Sequence, residues 1–167
     1  EIMSGDWSSD VCSSDLDKGT TFEQLMENAG QAAAADLLRR FPKAGRALIV
    51  CGKGKNGGDG LVIARVLSER DWQVDVVFVL GDKLSPLAQL NRERLNHLDG
   101  VSLIRPDELE GRLKTGYGLI IEGIFGTGFS GALPETAAAV CRLLNQADGF
   151  KIALDIPTGL NCDRSEE

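Results

Sequence analysis

Histidine is almost missing from this chain of 167 residues, which has His97 alone. Its four cysteines, Cys12, Cys51, Cys141 and Cys162, stand far apart with no CxxC pair. Structural zinc sites need clustered Cys and His ligands, so that class is excluded. The scatter reads instead as reduced thiols in a cytoplasmic protein, with Cys51 and Cys141 as core residues in apolar segments. No apolar run approaches the ~18–20 residues that a membrane span requires, and no basic start followed by an apolar stretch marks a secretory signal. Positive charge is also short. The formal net charge of -7 argues against a nucleic-acid binder that works by neutralising phosphates.

The chain is long enough for one domain with a real core. Residues 1–16 differ from the rest: rich in Ser and Asp, they show neither helical nor strand period and resemble translated adapter sequence. They are read as a non-native or disordered segment and set aside. With them go Glu1, Asp6, Asp10 and Asp15 and no basic residue, which leaves -3 of the -7 and makes the acidity mild. Residues 17–167 are read as one domain, cut short where Ser165-Glu166-Glu167 follows a loop with no closing element. A cut there exposes sheet backbone, and low stability of the isolated chain is expected.

From Thr20 a helix is predicted, capped by Thr20 or Thr21. Phe22, Leu25, Met26, Ala29, Ala33, Leu37 and Leu38 share one face, and the helix ends near Phe41-Pro42. ALIVC (47–51) is a short continuous apolar run, as in a strand buried on both faces. A glycine-rich loop comes next, then a helix from about Asp59 through Ile63, Val66 and Leu67. Further strands are predicted at 73–80, 101–104, 117–121 and 151–155. Ser85-Pro86 opens one more helix, and residues 135–146 form another. Alternation at this spacing predicts an α/β fold, a Rossmann-like three-layer sandwich with a mainly parallel sheet. With strand order 3-2-1-4-5, the loops after the first, fourth and fifth strands lie side by side, where such sheets bind ligands.

Those three loops carry the chemistry. In residues 52–60 (GKGKNGGDG) the glycines let backbone approach an anion, and the helix start beyond them offers N–H groups and partial positive charge. The alternative is a glycine-rich turn capped by Asp59. The loop lacks the Lys-Ser/Thr ending of a P-loop and the GxGxxG spacing of a dinucleotide fingerprint, which disfavours a kinase. In the second loop Glu122 closes an apolar strand ahead of alternating glycines, as site residue or turn cap. In the third, Asp155 closes a strand next to Pro157 and Thr158. Three such strand ends point to a shared polar pocket.

LMENAG (25–30), KNGGDG (55–60), IFGTG (124–128) and DIPTGLN (155–161) resemble, in order, the motifs of the NAD(P)HX epimerase family, the YjeF N-terminal domain. The resemblance covers about residues 16–167. It implies a Rossmann-like isomerase that interconverts the S and R forms of hydrated NADH and NADPH (NADHX and NADPHX). It also implies a bound potassium ion, a homodimer, and a partner NAD(P)HX dehydratase that some members carry on the same chain. Carried over by motif, Lys55, Asn56, Gly57, Gly58 and Asp59, with Gly126, Thr127, Gly128, Phe129, Ser130, Gly131 and Ala132, hold the hydrated dinucleotide. Asp155 contacts it, and Asn56, Glu122 and Thr158 hold potassium through oxygen. The family usually has Asp where this chain has Glu122, and commonly Asn at Lys55 and Ser at Thr158. Glu122 keeps the charge but reaches one methylene further.

The chemistry is reversible loss and return of hydroxide, or an equivalent inversion at a ring carbon. A carboxylate that shuttles a proton suits it. Asp155 is the choice for that role, with a plain hydrogen-bond acceptor as the competing reading. Glu27 and Asn28 are given a structural or supporting role, and His97 a place on the surface. A scaffold of the same fold, as in RNA-decapping or lipoprotein-binding relatives, is the alternative function.

Overall fold

The structure is a computed structural model that describes residues 2–3 and 21–159. Cys12, Cys162 and the last two residues of the DIPTGLN motif lie outside the described residues. Six strands form one sheet: β1 (Ile2–Met3), β2 (Arg46–Cys51), β3 (Gln73–Phe78), β4 (Val101–Ile104), β5 (Leu119–Gly123) and β6 (Phe150–Leu154). Their order is β1-β6-β5-β2-β3-β4, and every neighbouring pair is parallel. From β2 onward this is the predicted 3-2-1-4-5 arrangement. Two residues of the segment set aside on composition, Ile2 and Met3, pair with Ala153 and Leu154. The rest of residues 1–16 lies outside the described residues.

Parallel strands are buried on both faces because their crossover helices cover both. β2 shows it: from Ala47 to Cys51 every residue is buried. On one face lie α1 (Phe22–Arg40), α2 (Lys55–Ser68) and α3 (Pro86–Glu93). They enclose Leu37, Ile49, Leu61, Ile63, Val76 and Ile121. On the other lie α4 (Leu109–Leu113) and α5 (Glu135–Gln146), which pack Leu109 and Leu144 over Leu48, Val50, Val77 and Ile120. That is the expected three-layer sandwich. No helix among the described residues is long and apolar enough to cross a membrane.

Thr21 caps α1 through a reciprocal box with Gln24, which satisfies two amides that a helix start otherwise leaves open. The buried face falls on Met26, Gly30, Ala34 and Leu37 rather than on Ala29 and Ala33, and Phe22 stays 49% exposed. The cause is close packing. A methyl group on Gly30 would overlap the Val62 side chain of α2, so the smallest residue of the helix sits where the two axes come nearest. Ser85 caps α3, with Pro86 in the first turn. A 3-10 turn (Pro106–Glu108) and α4 went unpredicted, being too short to show a period.

Candidate active site

Three strand ends, those of β2, β5 and β6, stand side by side in the middle of the sheet. The connection out of β2 is shorter than its sequence suggests. The linker is only residues 52–54, and α2 already begins at Lys55 with Gly54 as its cap. The stretch KNGGDG is therefore the first turns of a helix, and Asp59 lies inside it rather than capping it. Glycine is a poor helix former, but here tertiary contact decides. A methyl on Gly57 would overlap the carbonyl oxygen of Gly52, and one on Gly52 would overlap that of Ile124. The helix start is thus pressed onto the strand ends, with its first amides lacking intrahelical partners.

Asn56, on that first turn, is half-buried. Its Nδ2 donates to the carbonyl oxygens of Phe125 at 2.7 Å and Leu154 at 3.0 Å. One side chain so ties α2 to the loop after β5 and to the end of β6. Glu122 lies inside β5, one residue before its end. Its Oε1 accepts from the Ile124 N–H at 2.7 Å and the Thr158 hydroxyl at 2.7 Å, and its Oε2 from the Thr158 N–H at 3.0 Å. Thr158 Oγ1 in turn accepts from the Phe125 N–H at 3.3 Å. Asn56, Glu122 and Thr158 thus gather around the backbone of residues 124–125. Glu122 does cap a turn, and it does so while gripping the β6 loop. Each of the three side chains also carries oxygen, with a single carboxylate among them, chemistry that suits a hard cation.

Asp155 is the first residue past β6, with φ at 69°. Few side chains tolerate that left-handed conformation, and Asp is among those that do. Its Oδ2 accepts from the Thr127 N–H at 2.6 Å, and a Cβ on Gly126 would stand 2.5 Å from that oxygen. Gly126 therefore leaves the room in which the carboxylate lies. Asp59 feels the same neighbourhood: burial, and then the charge of Asp155, push its carboxyl up to about 7 against a smaller opposing pull from Lys55.

Of the dinucleotide residues expected after β5, Gly126 and Phe129 are half-buried, while Thr127, Gly128, Ser130, Gly131 and Ala132 are exposed. Phe129 stacks on Phe125, centroids 4.0 Å apart and planes at 26°. Sequence reasoning passed over Phe125; two aromatics four apart around a Gly-x-Gly turn were the available signal. Lys55 is exposed, with its Nζ 5.2 Å from the Phe22 ring centroid. Glu27 is absorbed in an ion-pair network with Arg65 and Arg94, and Asn28 is exposed, as is His97. Cys51 is fully buried, its thiol pushed up to about 12 by burial.

Comparison with known proteins places this geometry. The profile described as YjeF-related protein N-terminus matches residues 22–167. The NAD(P)H-hydrate epimerase of Elusimicrobium minutum is 35% identical over 158 residues, covering 89% of this chain and 70% of that protein. The bifunctional NAD(P)H-hydrate repair enzyme Nnr of Pyrobaculum aerophilum is 39% identical over 148 residues, 85% of this chain but 29% of its own length. The chain thus spans less than a third of that bifunctional relative. Among solved structures, yeast ynu0 superposes with a TM-score of 0.77 at 27% identity, covering 92% of this chain and 71% of that one. The chain belongs to the family of the YjeF-related protein N-terminus.

Proposed function

We propose that this chain is the epimerase portion of an NAD(P)H-hydrate repair enzyme, interconverting the S and R forms of hydrated NADH and NADPH. The observation that carries the reading is the meeting of Asn56, Glu122, Thr158 and Asp155 at three adjacent strand ends, in a family whose relatives are named for that reaction.

The hydrated ring bears a hydroxyl on the carbon beside its nitrogen. Inverting that carbon requires the hydroxyl to leave and return, with a proton supplied on departure and removed on return. A carboxyl that keeps its proton close to neutral pH, beside a second carboxyl that faces the substrate, suits this. Asp155 is held in place by the Thr127 N–H and acts as the proton-handling group against the substrate. Asp59, driven towards neutrality, keeps a proton nearby. The start of α2, from Lys55 to Asp59, and residues 126–132 hold the dinucleotide, whose phosphates gain from the helix N-terminus.

Asn56, Glu122 and Thr158 would hold a potassium ion in this reading, and the ion would supply positive charge that favours an anionic substrate. The protein works as a homodimer in a cytoplasmic setting, and a dehydratase partner, carried on the same chain in longer relatives, consumes one epimer.

A coupled assay tests the reading. A dehydratase specific for the S epimer, given an S/R mixture of NADPHX, stalls when S is spent. Adding this chain is expected to carry conversion through the whole pool. A stall unchanged by the chain overturns the proposal. Binding of NADPHX without turnover would favour a non-catalytic member of the fold.

A further inference from the structure

We infer that the stacked rings of Phe125 and Phe129 form the face on which the substrate's ring becomes a cation during epimerisation. The inference rests on the function proposed above and gives that site a part that hydrogen-bonding residues cannot play.

The two rings are placed, not adrift. Phe125 has its N–H on Thr158 Oγ1 and its carbonyl on Asn56 Nδ2, so the polar core of the site fixes its backbone. Phe129 donates its N–H to the Gly126 carbonyl at 3.0 Å, closing a tight turn that returns its ring over Phe125. Between them lies Thr127, whose N–H holds Asp155. An aromatic stack and a carboxylate are thereby fixed to the same tight turn. Both rings are only half-buried, in a loop otherwise made of glycine and small polar residues. Such surface gains most from a flat partner.

The reaction generates such a partner. When the carbon–oxygen bond breaks, both electrons leave with the oxygen, which takes a proton from a carboxyl and departs as water. The ring nitrogen's lone pair closes a C=N bond, and the positive charge spreads over the flattened part of the ring around that bond. Water then adds from the side facing away from the rings, once the cation has turned about its bond to the ribose to present its other face, and returns its proton to the carboxylate, so atoms and charge balance. A π face attracts a cation but gains little from the neutral starting ring. The stack therefore favours the intermediate over the ground state, which is the kind of contact that raises kcat.

Two ligands separate this role from ordinary binding. NADP+ carries a flat, permanently cationic ring. Its 1,4,5,6-tetrahydro derivative carries a neutral one, and the adenine, riboses and phosphates are the same. Calorimetric titration of wild-type protein is expected to show preference for NADP+. In Phe129→Leu that preference shrinks by about fivefold or more, while affinity for the neutral ligand holds, and Phe129→Tyr restores it. Epimerisation by Phe129→Leu falls in kcat with KM little changed. Equal weakening of both ligands would mean that the stack holds adenine or merely packs, and would overturn the inference, as would no change in either. Wild-type protein that binds neither ligand would overturn the proposed function itself and the inference with it. Normal binding and turnover with no loss of preference in Phe129→Leu would overturn the inference alone.

Discussion

Burial and the charge of Asp155 act on Asp59 in the same direction, both against its ionised form. The consequence for stability has a definite sign. The folded chain holds a proton up to about pH 7 that the unfolded chain releases near its ordinary 3.8. The stabilising contribution is therefore complete below about pH 4 and is lost as pH rises towards 7. Asp59→Asn has no proton to lose, so its melting temperature is expected to fall less than that of wild type between pH 5 and 8. Parallel slopes in thermal melts at the two pH values would refute this. Asp155 makes a different case. Asn tolerates a φ of 69° and keeps an oxygen for the Thr127 N–H, so Asp155→Asn is expected to fold normally. It should nonetheless lose about 10²-fold or more of epimerase activity, as progress curves against wild type at equal concentration would show. Asp155 was legible in the sequence because it ended an apolar run beside Pro157 and Thr158. The raised affinity of Asp59 was not legible, since burial and a charge 96 positions away exist only after folding.

At the scale of elements, the principal departure is the start of α2. Read by propensity, four glycines within residues 54–60 make a loop and defer the helix to Asp59. In the fold they let the helix begin at Lys55 against the ends of β2 and β5. The segment is a helix start rather than a flexible turn, which brings Asn56 onto the carbonyls of Phe125, past β5, and Leu154, at the end of β6. The same logic governs the contact between α1 and α2. Gly30→Ala adds about 1 kcal/mol of helix propensity but drives a methyl into Val62, and overpacking of this kind costs about 1–3 kcal/mol. The steric effect wins, so net destabilisation is expected, seen as a lower urea midpoint with unchanged slope. A higher midpoint would mean that the helices separate at little cost. Strand limits moved for a related reason: Glu122 lies within β5 because pairing with Val50 and Ala153 continues through it. A hydrophobicity pattern stops at a charge, whereas a hydrogen-bonded ladder does not.

For the whole molecule, the strand order was legible because apolar runs alternate with helical patterns and right-handed crossovers leave few arrangements. That order alone puts three polar loops together. Their detailed grip was not legible, because it depends on backbone carbonyls and amides of residues 124–125 that no side-chain pattern reveals. If Asn56, Glu122 and Thr158 hold potassium between these loops, the ion links three segments that the unfolded chain separates. Melting in 100 mM potassium chloride is then expected to exceed melting in choline chloride of equal strength by about 2–5 °C. Glu122→Gln should lose most of that difference. Equal midpoints in the two salts for wild type would mean that these residues hold no potassium.

In the proposed function, this assembly of loops inverts one ring carbon of a hydrated dinucleotide. The most direct test of that function is proton NMR of NADPHX enriched in the R epimer, tracked with and without the purified chain in potassium buffer. The S and R signals are expected to reach their equilibrium ratio many times faster with the chain than without it. Equilibration at the spontaneous rate, with the chain folded and the ligand bound, would contradict it.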